Sequence, residues 1–158
     1  MTTPQLQSYI AGRWVGAQPA QALHSAIDNQ VIAHTHAEAI DFGEALEHAR
    51  KVGLPAMMAM DFQQRAAALK ALAKYLGERK EEMYELSFHT GATRTDGWVD
   101  IEGGTGTLFA YASMARELPK SGNLWHEGPQ MPLGKTGAFA GTHVLVPRGG
   151  VAVHINAF

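Results

Sequence analysis

The sequence predicts an α/β fold, and three observations carry that prediction. Ser8-Tyr9-Ile10-Ala11-Gly12-Arg13-Trp14-Val15 sets two short β-favouring runs on either side of a glycine turn. The middle of the chain, from Asp41 to Glu117, repeats its apolar residues at helical spacing. Two extended apolar runs then follow, Phe139 to Val146 and Val151 onward. A hairpin, then helices, then strands is the order expected at the start of an α/β domain.

In the first run Tyr9, Ile10, Trp14 and Val15 favour extended backbone and Gly12 suits the tight turn. Gly16 to Ala26, with Pro19, is expected to be looser. Asp41 is a helix N-cap with Glu44 three residues on. That helix is expected to run through Ala45, Ala49 and Val52 and to end at Gly53 and Pro55. Asp61 caps the clearest helix, whose Phe62, Ala66, Leu69, Ala73 and Leu76 share one face, and Gly77 is its stop or its kink. Arg79 to His89 forms another helix, ended by Thr90-Gly91. Trp98 to Glu117 is a third long helical segment, with Leu108, Tyr111 and Met114 at helical spacing. Leu118 to Lys135, with Pro119, Pro129 and Pro132, is expected to be loop. Phe139 to Val146 reads as a strand, Pro147 to Gly150 as a turn, and Val151 onward as a second strand. That last run reaches Phe158 with no turn or cap, so the chain is expected to be the first part of a longer protein.

Composition narrows the function. Of 158 residues 46% are hydrophobic and 18% charged, which is globular rather than disordered. Thirteen basic and fifteen acidic residues give a formal charge of −2, so no electrostatic case exists for nucleic acid or an anionic membrane as partner. No apolar run has membrane-spanning length and the N-terminus lacks a signal pattern, which points to a cytoplasmic protein. There is no cysteine, which excludes a disulfide framework and a thiol nucleophile within these residues.

Few residue patterns point to chemistry. Of eight histidines only His34-x-His36 is closely spaced, and it has no third ligand nearby, so no metal site is expected. Gly103-Gly104-x-Gly106 has part of the look of a phosphate-binding glycine loop, but it sits inside a predicted helix. Each glycine there costs about 1 kcal/mol relative to alanine, so three within four positions need a reason. Close helix packing is one; room left for a ligand is the other. Asp100 and Glu102 are two apart, do not face each other on a helix and are discounted as an acid–base pair.

Several stretches together resemble one family. Phe62-Gln63-Gln64-Arg65-Ala66-Ala67-Ala68-Leu69-Lys70-Ala71-Leu72-Ala73, then Arg79-Lys80-Glu81-Glu82-Met83-Tyr84-Glu85-Leu86 and Thr90-Gly91, resemble the N-terminal helices of aldehyde dehydrogenases. Thr107-Leu108-Phe109-Ala110-Tyr111-Ala112 resembles the next helix of that family, and Gly150 to Phe158 the strand leading into its Pro-Trp-Asn-Phe-Pro motif. Thr90-Gly91-Ala92-Thr93-Arg94, Trp98-Val99-Asp100-Ile101-Glu102-Gly103-Gly104 and Val153-His154-Ile155-Asn156-Ala157-Phe158 are most similar to a bacterial branch acting on CoA-linked semialdehydes in aerobic benzoate and phenylacetate breakdown.

The resemblance implies the N-terminal portion of that fold: a hairpin and arm over 1–35, a helical segment of a Rossmann-like cofactor domain over 36–117, a loop over 118–135, an oligomerisation-type strand over 136–149, and a strand leading to the active site over 150–158. Ile155, Asn156, Ala157 and Phe158 are then expected to line the nicotinamide side of a site for NADP, with NAD as the alternative. Ala157 and Phe158 take the places of the Pro-Trp pair, and the family's oxyanion asparagine would follow Phe158. Val99, Asp100 and Gly103 match positions bordering the substrate tunnel, which would explain the glycines as space for a CoA thioester arm. The implied mechanism uses a cysteine thiolate, hydride transfer to the nicotinamide, and a glutamate base. With no cysteine, these residues are expected to supply one wall of that site and no catalytic residue. The hairpin and the Phe139–Val146 strand resemble subunit-contact parts, implying a homodimer or higher homo-oligomer. Two other readings are the dehydrogenase half of a bifunctional enzyme with a hydratase domain, and a short interaction module without catalysis.

Overall fold

The computed structural model describes residues 3–16, 21–35 and 40–156. The N-terminal hairpin forms as expected: β1 (Ser8–Ile10) pairs antiparallel with β2 (Arg13–Val15). Ala11 and Gly12 both take positive φ, the backbone twist that a two-residue hairpin loop requires. Tyr9 and Trp14 stand opposite each other with ring centroids 5.0 Å apart. Arg13 grips Glu44 through two hydrogen bonds of 2.7 and 2.6 Å, tying the hairpin to the first helix.

The stretch expected to be loose contains a strand. β3 (Gln21–His24) pairs antiparallel with β4 (Val31–Thr35). Pro19 masked it from the sequence, because proline next to a short run argues against a strand. The turn between them is tied down: Ser25 is buried, its hydroxyl accepts from Ile27 N, and Ala26 N donates to His89 O at 2.8 Å. His34 lies in β4, where its backbone joins Pro4 and Leu6, and His36 lies outside the described residues.

Asp41 caps α1 (Phe42–His48) by accepting from Glu44 N at 2.9 Å. Gly53 and Pro55 do not end the helix, as the sequence had suggested. A π-helical turn, Ala49–Gly53, carries the chain into α2 (Leu54–Ala59). Pro55 sits in the first turn of α2, where its missing N–H costs least, and the wider π turn before it makes room for its ring.

α3 (Phe62–Gly77) starts at a full capping box: Gln64 N donates to Asp61 and Asp61 N donates to the Gln64 side chain. Asp61→Ala is expected to cost about 1 kcal/mol and Asp61→Asn much less, read as denaturant midpoints. Equal losses would mean that the cap contributes nothing. Gly77 is a stop rather than a kink. α4 (Lys80–Phe88) follows, then α5 (Arg94–Ser113) with a 3₁₀ turn at Met114–Arg116. α5 begins four residues before the expected Trp98, because Thr93 and Asp96 form a second capping box. α5 packs against both α3 and α4.

The expected loop over 118–135 holds β5 (Trp125–Leu133), which pairs antiparallel with β6 (Phe139–Leu145). The register runs Glu127 to His143 and resumes at Met131 to Gly141, so Gly128, Pro129 and Gln130 face Thr142 alone. That bulge carries Pro129 out of the ladder, which is how the strand tolerates it. The expected strand from Val151 is absent: residues 151–156 have no regular structure. A strand needs a neighbour's hydrogen bonds, and no described segment lies beside this one as a strand.

The chain exposes 12200 Å², against about 7,700 Å² for a compact monomer of its 17.0 kDa. Among the described residues no large side chain is fully buried, and Phe42, Leu86, Trp98, Tyr111 and Phe139 are all more than half exposed.

Candidate functional site

α5 presents two different surfaces. One is clamped to α4. Gly97 is buried there, and a Cβ on it would lie 3.2 Å from the ring of Tyr84 and from Ser87 Oγ. Tyr84 is 8% exposed, lies with Arg94 4.3 Å over its ring, and donates to Glu102 Oε1 at 3.0 Å. Lys80 donates to the same oxygen at 3.1 Å. Arg94 in turn pairs with Glu81 at 3.1 Å.

Hydrogen bonds from Lys80 and then Tyr84 hold the Glu102 carboxyl below the usual carboxylate range. Burial, and then the bond to Glu102, push the Tyr84 phenol up. A depressed carboxylate stabilises the fold above its unfolded pKa, and that contribution is lost as pH falls through the folded value. Glu102→Gln is therefore expected to flatten the acid limb of a stability–pH profile. An unchanged acid limb would remove Glu102 from the account.

The second surface is bare. Gly103, Gly104 and Gly106 lie inside α5, all exposed, and a Cβ on any of them would meet nothing within 4 Å. Close packing within this chain is therefore not why they are glycine. Thr105 and Thr107 turn their hydroxyls back onto helix carbonyls, Thr107 onto Gly103 O at 3.0 Å. Val99 and Asp100 are exposed on the same stretch. Val99 and Gly103 are one turn apart, and Asp100 precedes Gly103 by three residues, so the helix brings these three onto adjoining positions.

Ile155, 90% exposed, and Asn156 lie in the terminal segment. That segment runs against the first helices, where Arg148 and Val151 with Ala49, Leu54, Met57 and Arg65 line a cavity of about 350 Å³. Neither Ile155 nor Asn156 lines it, and nor do Val99, Asp100 and Gly103. Ala157 and Phe158 lie outside the described residues. Sequence reasoning missed Gly97 and the Lys80–Tyr84–Glu102 cluster. Lys80 and Tyr84 are one helical turn apart, and that spacing was the available signal. Among the described residues no three His, Asp or Glu side chains are placed to hold a metal ion, and no helix is long and apolar enough to cross a membrane.

The helices that build this surface are found in known proteins. The sequence pattern of the aldehyde dehydrogenase family matches residues 14–155. The chain is 36% identical over 156 residues to the 3,4-dehydroadipyl-CoA semialdehyde dehydrogenase of Aromatoleum evansii, covering 98% of this chain and 30% of that protein. The structure superposes on aldehyde dehydrogenase 21 from Physcomitrella patens, solved with the reaction product succinate, with a TM-score of 0.68 at 22% identity over 84% of this chain and 26% of that one. An NAD-dependent benzaldehyde dehydrogenase from Corynebacterium glutamicum superposes with a TM-score of 0.60 at 21% identity, over 80% of this chain and 27% of that one. The chain thus spans about a third or less of the relatives it matches. A family pattern extending from the N-terminal hairpin to Ile155 and a shared fold lead to one conclusion: this chain belongs to the aldehyde dehydrogenase family.

Proposed function

We propose that the chain is the N-terminal part of an aldehyde dehydrogenase that oxidises a CoA-linked aliphatic semialdehyde to the acid in aerobic aromatic-acid breakdown of the benzoate type. NADP is the proposed hydride acceptor, with NAD as the alternative. The observation that carries this reading is the 36% identity, along nearly the whole chain, to a protein named for a CoA-linked semialdehyde. The bare stripe on α5 supports it. Val99, Asp100 and Gly103 border the proposed substrate tunnel, and the missing side chains leave width for a thioester arm.

Ile155 and Asn156 suit the proposed nicotinamide side. Ile155 offers an uncovered apolar surface for a planar ring, and Asn156 offers an amide donor and acceptor for a carboxamide. Ala157 and Phe158 complete the proposed contact set. The nicotinamide, when bound, accepts the hydride. The family's thiolate nucleophile is not among these 158 residues, which contain no cysteine. The exposed apolar side chains of α1, α2, α4 and the β5–β6 hairpin are proposed to be covered by the rest of the enzyme and by a second subunit in a homodimer or larger oligomer.

The test is Gly103→Leu in the complete enzyme. Overfilling the tunnel wall by about 1–3 kcal/mol is expected to lower kcat/KM for a CoA-linked semialdehyde by roughly five- to 150-fold. Small free aldehydes should be nearly unaffected. Equal losses on both substrates would sink the reading.

A further inference from the structure

A cleft of about 470 Å³ opens between α3 and the C-terminal end of α5. Gln63, Lys70, Phe109, Ser113, Arg116 and Lys120 line it, together with small alanines, and no carboxylate does. Lys70, Arg116 and Lys120 join no ion pair among the described residues. Phe109 is 42% exposed, an open aromatic surface beside the three cations. The floor is fixed: Gln63 Nε2 donates to Ala115 O at 2.8 Å and to Pro119 O at 3.0 Å, holding the turn that carries Arg116 and Lys120. An aromatic platform with unpaired cations and no acid is the chemistry that binds a purine bearing phosphates. Gly103 precedes Arg116 by thirteen residues, roughly 20 Å along the helix and about 220° around it, so the cleft opens on a different side of α5 from the glycines.

We infer that this cleft takes the phosphate-bearing adenosine end of CoA, with the purine on Phe109 and the phosphates at Lys70, Arg116 and Lys120. The inference rests on the CoA-linked substrate proposed above. It assigns the C-terminal end of α5, with Lys70 of α3, the anchoring of the nucleotide. Adenine and phosphate are shared with NADP, so the experiment must separate the two sources.

The complete enzyme is compared with a Lys70→Gln, Arg116→Gln, Lys120→Gln triple variant and with Phe109→Ala. KM is measured for a CoA-linked semialdehyde, for a small free aldehyde and for NADP, and binding of adenosine 3′,5′-bisphosphate is measured by calorimetry. Three exposed contacts together are expected to raise KM for the CoA substrate about tenfold, by an amount that shrinks with added salt. Phe109→Ala should raise it several-fold. KM for the free aldehyde and for NADP should stay unchanged, and bisphosphate binding should weaken in step. A rise in the NADP KM with the CoA KM unchanged would reassign the cleft to the cofactor and overturn the inference. Equal rises for CoA-linked and free aldehydes would overturn it too, since they would report damage to the fold or to the chemistry. If the wild-type enzyme oxidises no CoA semialdehyde, the substrate reading fails by itself. The calorimetry then decides the cleft: bisphosphate binding lost in the triple variant upholds a nucleotide site, and no binding by wild type removes it.

Discussion

Gly97→Leu is expected to destabilise the protein by about 3 kcal/mol, the upper end of the usual cost of overpacking. A Cβ at this position already lies 3.2 Å from Cδ1 and Cε1 of Tyr84, closer than carbon atoms pack comfortably. The ring cannot retreat easily, because Glu102 holds its hydroxyl at 3.0 Å and Arg94 covers its face. Any larger side chain therefore pushes α4 away from α5. Gly97→Ala sets two effects against each other. Alanine gains about 1 kcal/mol of helix propensity over glycine, while the tight contact costs more than that if Tyr84 stays put. A net loss below about 2 kcal/mol is expected. Tyr84→Phe removes the tether to Glu102, so in its background the cost of Gly97→Ala should shrink. Denaturant midpoints for the two single variants and the double measure that coupling. Should Gly97→Leu unfold at the wild-type midpoint, the contact between α4 and α5 is not as described.

Ala73→Leu is the second large effect, about 1–3 kcal/mol. Ala73 is completely buried on α3, the helix that packs along α5. The nearby cleft is lined by Ala66, Ala67 and Lys70 and not by Ala73, so that cleft does not receive the added methylenes. Leu72, one residue earlier, is 47% exposed. Truncating that larger residue to alanine should cost no more than about 1 kcal/mol, since much of its surface is already in water. The small residue is thus expected to matter more than the large one beside it. If Leu72→Ala proved the more damaging change, the α3–α5 contact would have to be redrawn.

The helices were legible because their signals are local. Asp61 with Gln64, and the steps from Phe62 to Leu76, locate α3 without reference to anything distant. The Tyr9–Trp14 hairpin declares itself through Gly12. The strands that escaped notice depend on partners. β3 exists because β4 lies beside it, and β5 because β6 does, and prolines beside or within them hid that pairing. Val151 onward erred in the opposite direction: its apolar pattern suits a strand, but a pattern cannot supply a neighbour. Pro55 misled in a third way, since the π turn that accommodates it leaves no mark in the residue types. At the candidate site, the glycines of α5 were visible as an anomaly. Their bareness, and the contrast with buried Gly97, needed coordinates.

The pairing pattern also governs how this region reaches its structure. Each hairpin joins strands that follow one another in the chain, β1 to β2, β3 to β4 and β5 to β6, and α4 meets the helix directly after it. These neighbouring pairs close short loops, which favours rapid formation, whereas α3 meets α5 across α4 and must wait for it. During synthesis such elements can form as soon as they emerge, before any distant partner exists. With so little of it fully buried, however, the assembly gains little cooperativity from its own contacts. The region takes its first shape from its three hairpins and the α4–α5 pair, so the bare α5 surface is presented as soon as those local contacts form.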